Sequence, residues 1–247
     1  MKATILGSGD PLGMPVPMCK CKYCRKGPER LRAGLKVETE DSTVVFDIGP
    51  DLRQQLISTD TSDVDAFFAT HAHFDHFGGL PELSNLDVFA DAEISIYGSE
   101  EVQNYIEDVY SWIDIDYTVF EGSTEIGDLT VEAFPVEHSE FLPMQGYAVE
   151  SWGKKVVYIP DLKSLPETDV YRDADVLFID GMYLFEKHME DDEDHAAKEE
   201  LKAEIEKCNA EKVVLLGMSE HFNEMTVEEE KEKTRYEIGK DFKEYSL

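Results

Sequence analysis

Three of the chain's seven histidines fall in one short segment, Thr70-His71-Ala72-His73-Phe74-Asp75-His76, with an aspartate among them. The segment follows the apolar run Ala66–Ala69, which predicts a loop leaving a strand. In extended chain alternate side chains share a face, so His71 and His73 can point the same way. Asp75 and His76 lie one step further on and can serve a second, adjacent ion. Imidazole and carboxylate ligands suit zinc, iron or manganese. Histidines held by core hydrogen bonds are the bland alternative, a poor one for so dense a cluster. Two later segments, Val136-Glu137-His138 and Tyr158-Ile159-Pro160-Asp161, also end strand-like runs. Alone, a His or Asp in such a place is usually a cap or a surface residue. Asp47, in Phe46-Asp47-Ile48-Gly49, is either a carboxylate orienting a ligand histidine or an ordinary turn residue.

A second constellation is Cys19-x-Cys21-x-x-Cys24, within a loop spanning residues 18–25. Three thiolates fall one short of the tetrahedron that structural zinc prefers. An iron–sulfur or rubredoxin-like centre lacks a fourth cysteine nearby. The remaining cysteine, Cys208, sits on the apolar stripe of a predicted helix and reads as core.

The elements that must position these groups are short. Runs rich in β-branched residues at 3–6, 35–37, 44–48, 66–69, 94–97, 129–134, 147–150, 156–159, 176–179 and 213–216 predict strands. Trp152-Gly153-Lys154 and Glu40-Asp41-Ser42 predict hairpin turns. Ser99 predicts an N-cap, followed at helical spacing by Val102, Tyr105, Ile106, Val109 and Trp112. Asp194 predicts another, for a helix with the inner stripe Ala197, Leu201, Ile205 and Cys208, and Pro50 opens a short helix through Leu52 and Leu56. No repeat or Gly/Ser linker divides the 247 residues, so one domain over 1–247 is expected.

The formal charge is −31, from 54 acidic and 23 basic residues. Such a surface repels nucleic acid in dilute salt. The acids are spread along the chain rather than gathered in a tail, which fits adaptation to molar salt, where the field is screened within about 3 Å. Under that halophilic reading net charge no longer excludes a nucleic-acid substrate. No apolar run approaches the roughly 20 residues that span a bilayer. The start, MKATILGSGD, runs directly into strand pattern rather than a secretory signal. A cytoplasmic protein without a membrane partner is expected, and a reducing cytosol makes the cysteines a metal site rather than a disulfide framework.

The histidine motif, with His138 and Asp161 after it in order, resembles the metallo-β-lactamase superfamily. That implies an α/β fold, the four-layer α/β/β/α sandwich. His138 becomes the third ligand of a first metal, Asp161 a carboxylate bridging two, and Asp75 a catalytic carboxylate as well as a ligand. Gly7-Ser8-Gly9, Pro15, the cysteine triplet and Asp47-Ile48-Gly49-Pro50-Asp51-Leu52-Arg53-Gln54-Gln55 narrow the resemblance to the PhnP-like phosphodiesterases, over essentially the whole chain. The proteins of pyrroloquinoline quinone biosynthesis share a similar cysteine loop, but the intact histidine motif argues against them.

The superfamily's last histidine ligand is expected after Val213–Leu216, where this chain reads Gly217-Met218-Ser219-Glu220-His221. The strand register puts Met218 at the catalytic position and His221 where the subfamily completes a structural zinc. The alternatives are that His221 or Glu220 reaches the second catalytic metal. His195, or His188 in the same loop, corresponds to a general-acid histidine of related phosphodiesterases and tRNA-processing nucleases; a solvated loop histidine is the bland reading.

The resemblance thus implies two divalent ions, zinc or manganese, at the histidine/aspartate site, and one structural zinc at the cysteines. It implies hydrolysis of a phosphodiester, a small cyclic one among the candidates, by a metal-bridging hydroxide. Two alternatives stand beside it. One is an RNase Z-like nuclease, although no Gly/Pro/basic insertion like that family's tRNA-gripping arm stands out. The other is a non-catalytic metal-binding or carrier protein with a decayed second site. A homodimer is compatible with either.

Overall fold

The computed structural model describes residues 1–90, 92–139, 143–185 and 195–247. The strands in chain order are β1 (Lys2–Gly7), β2 (Gly34–Glu38), β3 (Thr43–Phe46), β4 (Ala66–Phe68), β5 (Ser95–Gly98), β6 (Asp116–Val119), β7 (Ser123–Ile126), β8 (Leu129–Val136), β9 (Met144–Ser151), β10 (Lys154–Ile159), β11 (Val176–Asp180), β12 (Lys212–Leu216), β13 (Glu237–Ile238) and β14 (Glu244–Ser246). They form two seven-stranded sheets, ordered β14-β1-β2-β3-β4-β5-β6 and β13-β12-β11-β10-β9-β8-β7. The helices are α1 (Lys22–Lys26), α2 (Leu52–Ser58), α3 (Phe74–Phe77), α4 (Leu80–Ala90), α5 (Glu100–Val109), α6 (Lys198–Cys208), α7 (Glu220–Asn223) and α8 (Val227–Lys233).

Period-two alternation explains why the central strands are apolar on both faces. In β10, Val156 and Tyr158 face the layer between the sheets, while Val157 and Ile159 face α6. Val176 and Phe178 against Leu177 and Ile179 repeat this in β11. In the other sheet, Val44 and Phe46 point inward and Val45 outward onto α2, α4 and α5. Three hydrophobic layers result, and the architecture is the expected α/β/β/α sandwich. The middle layer is aromatic: Phe46 stacks on Phe68 at 5.4 Å and meets Tyr147 at 5.2 Å and Tyr158 at 5.8 Å.

Both predicted hairpin turns form, with Trp152 and Gly153 at positive φ between β9 and β10. Ser99 caps α5, its hydroxyl accepting from the Val102 amide at 3.3 Å. That helix ends at Val109, leaving Trp112 beyond it and exposed rather than on its inner face. The α6 helix begins at Lys198 with Ala197 as N-cap; the proposed cap Asp194, like His188, lies outside the described residues. Among the described residues, no helix is long and apolar enough to cross a membrane.

Strand direction places the chemistry. β3, β4 and β5 run parallel, as do β10, β11 and β12. Asp47, Thr70–His76, Asp161, Asp180 and Met218 therefore follow the carboxyl ends of strands at one rim, where ligands of α/β sheets characteristically bind. β8 runs the same way as β10, since both are antiparallel to β9, and delivers His138 there too.

Candidate metal centres

His71, His73, His138 and Asp161 bring one ligand atom each within 4.8 Å of the others. Asp75, His76 and Asp161 form a second such group sharing Asp161. His73 Nδ1 lies 2.8 Å from His71 Nε2 and 3.3 Å from His138 Nε2. Asp161 Oδ2 lies 3.0 Å from His76 Nε2 and 3.3 Å from His71 Nε2. Asp75 Oδ2 is 3.0 Å from His76 Nε2.

The tautomers follow from the partners behind these rings. The Thr70 hydroxyl donates to Asp47 Oδ1 at 2.7 Å, so at 3.0 Å it accepts from His71 Nδ1–H, leaving the Nε2 lone pair turned into the cluster. Asp47 Oδ2, which can only accept, takes the Nδ1–H of His76 at 2.7 Å and the Tyr158 hydroxyl at 2.9 Å. Asp47, itself held at φ 68°, thus fixes the orientation of the His76 ring rather than serving as an ordinary turn residue.

Burial, then the neighbouring His76, keeps His71 well below the usual imidazole range. Burial pushes His76 the same way, but Asp161, Asp75 and Asp47 outweigh it and raise that ring well above its ordinary value. Asp161 is held well below the carboxylate range because His76, His138 and His195 overcome its burial. His71 and His73, both held below the imidazole range, face a firmly ionised carboxylate, and the acids around His76 demand a cation; such a donor set fits a divalent metal.

Beside this cluster stands a pair of which the sequence singles out only His195. His195 Nδ1 donates to Asp180 Oδ2 at 2.7 Å, and one ligand atom from each of these two and from Asp161 lie within 4.8 Å of one another. Tyr183 packs edge-on against the His195 ring at 5.2 Å, and Lys163 Nζ donates to the His195 carbonyl at 3.1 Å. Asp180 ends β11 much as Asp161 follows β10, and the register pairs Ile159 with Ile179. Met218 is fully buried in the layer against α6, its amide donating to the Ser8 carbonyl at 3.0 Å.

His221 goes to the cysteines. Its Nδ1 lies 3.5 Å from the Sγ of Cys19, 3.5 Å from that of Cys21 and 3.6 Å from that of Cys24. The four ligand atoms group within 4.8 Å, a Cys₃His set of the kind that structural zinc takes. The Cys24 amide pointing at its sulfur pulls the Cys21 thiol down to about 6, while burial pushes Cys24 up to about 11. Glu220, the other candidate ligand, is committed elsewhere: it takes Arg30 through Nε and Nη2 in a fully buried pair, 2.7 Å at its shortest. Arg30 also donates to Ser8 Oγ and the Gly239 carbonyl. This fastens the turn that carries His221.

One buried acid nearby has a pH signature. Burial raises Glu230, on α8, to about 7. Its Oε1 accepts from Asn223 Nδ2 at 2.9 Å, while Glu230 Oε2 and Asn223 Oδ1 have no partner among the described residues. A carboxyl proton is the donor that this pair lacks. Because the folded value exceeds the unfolded one, the group favours folding below about pH 4.5, and the benefit fades as pH rises through about 7. Glu230→Gln is expected to raise the melting temperature at pH 8 and flatten its dependence between pH 5 and 8, by up to about 3 kcal/mol. Parallel thermal melts check this; an unchanged slope counts against it.

Residues 42–218 match the family described as the beta-lactamase superfamily domain, and the chain belongs to that family. The chain is 28% identical over 207 residues to an octanoyltransferase from Porphyromonas gingivalis, covering 76% of this chain and 40% of that one. It is 29% identical over 154 residues to a ribonuclease Z from Methanococcus maripaludis strain C6, covering 56% of this chain and 46% of the relative. It therefore spans less than half the length of these two curated relatives. The fold is shared with a crystal structure described as a new diphosphatase from the PhnP family: TM-score 0.84, 24% identity, and coverage of 100% of this chain and 97% of the other.

Proposed function

We propose that this chain is a metal-dependent phosphodiesterase whose chemistry is centred on Asp161. The carrying observation is that Asp161 joins three neighbouring ligand groups: the histidine set, the Asp75/His76 set and the Asp180–His195 pair. His71, His73, His138 and Asp161 would hold one divalent ion, and Asp75, His76 and Asp161 the other. Bound there, such ions supply positive charge for phosphate oxygens and lower the pKa of a water. The chain's own residues do the rest. Asp47 and Thr70 fix ring orientation, and the charge on Asp161 is retained by its histidines. His195, anchored through Nδ1 by Asp180, would supply a proton to the leaving oxygen. A zinc ion at Cys19, Cys21, Cys24 and His221 would be structural. The similar proteins, a PhnP-family diphosphatase and a ribonuclease Z, support a phosphate ester or RNA substrate.

His195→Ala tests the acid role. With a diester that leaves as an alkoxide, turnover is expected to fall on the order of 10²–10⁴-fold. With a 4-nitrophenolate leaving group, which needs no proton, the loss is expected to stay below about tenfold. Metal content should be unchanged. Equal losses on both substrates, or loss of an ion, would instead make Asp180 and His195 ligands of the second metal, on the side where Met218 offers no imidazole. Assays belong in molar potassium chloride as well as dilute buffer, given the charge of −31. An acyl ester serves as the counter-screen suggested by the octanoyltransferase relative.

A further inference from the structure

From Pro11 to Pro28 the chain has no Asp or Glu, its longest stretch without one, although 54 of the 247 residues are acidic. Within it lie Lys20, Lys22, Arg25 and Lys26, interleaved with the three cysteines. All four cations are exposed, and none makes an ion pair among the described residues. Lys22 Nζ sits 4.6 Å above the Tyr23 ring. Weighed for its thiolates alone, the segment reads as a staple. Its charge adds a second property: on a chain of net −31 this knuckle is a run of four cations without an acid, with Glu224 and Glu229 of the neighbouring turn and helix facing Lys22 among the four.

The knuckle stands beside the metal rim. A side chain on Gly217 would press within 3.2 Å of Asp180 Oδ1, so that turn packs directly against the Asp180–His195 pair. Gly9, which leads into the loop, bridges to Met218. His221, the knuckle's own ligand, is only three residues beyond Met218, a backbone span of at most about 11 Å. On the other flank, Arg32 passes Gly49, which abuts the Asp75 carbonyl.

We propose that the cysteine loop is a phosphate-backbone grip for a single-stranded RNA whose scissile phosphate lies at the metal centre. This rests on the phosphodiesterase reading above and names its substrate as a strand rather than a small cyclic diester. Sequence-independent strand binding needs cations that track the backbone close to the reactive phosphate. The loop supplies four, held in place by ligands that do not themselves carry the positive charge. An acidic protein is the competing partner for such a surface; adjacency to the phosphate chemistry favours RNA.

The test replaces Lys20, Lys22, Arg25 and Lys26 by Gln in the zinc-loaded protein, leaving every cysteine in place. Binding of a fluorescein-labelled single-stranded RNA is followed by anisotropy across a salt series. Turnover of bis(4-nitrophenyl) phosphate is followed in parallel. At 0.1 M salt the variant is expected to lose RNA affinity on the order of a hundredfold, and its log–log salt slope to fall by about 3, from roughly 0.7 per phosphate contact. Zinc content and small-diester turnover should stay at the wild-type level. If the quadruple variant loses zinc or fails to fold, Lys22→Glu with Lys26→Glu provides the same contrast. The proposal is overturned if wild-type protein does not bind RNA, if affinity and slope are unchanged, or if small-diester turnover falls in step with RNA binding. Binding is read without turnover, so a protein that grips RNA through the loop yet hydrolyses no diester sinks the phosphodiesterase reading alone.

Discussion

Asp161→Asn is expected to abolish phosphodiester hydrolysis and lower the metal content of the histidine/aspartate centre, while leaving far-ultraviolet circular dichroism unchanged. One oxygen, Oδ2, lies 3.0 Å from His76 Nε2, 3.3 Å from His71 Nε2 and 3.7 Å from His138 Nε2. An amide of the same shape keeps the packing but turns one acceptor into a donor and removes the charge that both ligand groups share. Loss of a single transition-state donor typically costs about 10²–10³ in rate. A carboxylate common to two ion sites should exceed that, so turnover is expected to fall by more than about 10³-fold. The fold does not depend on it, because Asp161 lies at the rim and the three hydrophobic layers close without its side chain. His138→Ala is the graded comparison, since it belongs to one ligand group only. Metal analysis by atomic emission together with kcat/KM decides the matter. A variant that retains both ions and turns over within tenfold of wild type removes Asp161 from the centre of the chemistry.

The residues of this centre were readable in proportion to how locally they are specified. His71, His73, Asp75 and His76 share one segment, and His138 and Asp161 each end an apolar run, so order along the chain was enough. Asp180 ends Val176–Ile179 in the same manner, yet nothing in its local sequence marks it out. A carboxylate after a strand is usually a cap, and only the β10–β11 register brings Asp180 to Asp161. Spacing alone left His221 between two sites; the turn fastened by the buried Arg30–Glu220 pair carries it to the thiolates. β6 and β7, reading DYTV and STEI, are largely exposed and carry too little apolar pattern to show as strands. The α4 helix is equally hard to read, since Val88 and Phe89 are exposed and blur its apolar stripe. Trp112 erred the other way: its spacing continues a stripe that the helix does not reach.

In the metal-bound form proposed above, His221→Ala is expected to release the zinc from the thiolates and lower the melting temperature by roughly 5–15 °C, with the histidine/aspartate ions retained. Structural zinc contributes about 10–16 kcal/mol in isolated finger peptides, where nothing else holds the fold. Here the loop is one edge of a chain whose three hydrophobic layers form without it. The loss should therefore be confined to the loop and to the packing of α1 on α7, a few kcal/mol, each worth about 2–4 °C in a protein of this size. Direction follows from the donors. Without the imidazole, Cys21 loses one of the hydrogen bonds that hold its thiol low, while burial still pushes Cys24 up, to about 11 in the intact site. Holding Cys24 as a thiolate near neutral pH then depends on a metal with an incomplete tetrahedron. Cys21→Ser should behave alike, since it removes a sulfur whose thiol is held low by the Cys24 amide. Zinc release measured with a chromophoric chelator, alongside thermal melts, separates this from a catalytic role. Wild-type stability and zinc content with lost turnover would assign His221 to the reacting centre. The 3.5 Å approach of its Nδ1 to two of the sulfurs predicts the opposite.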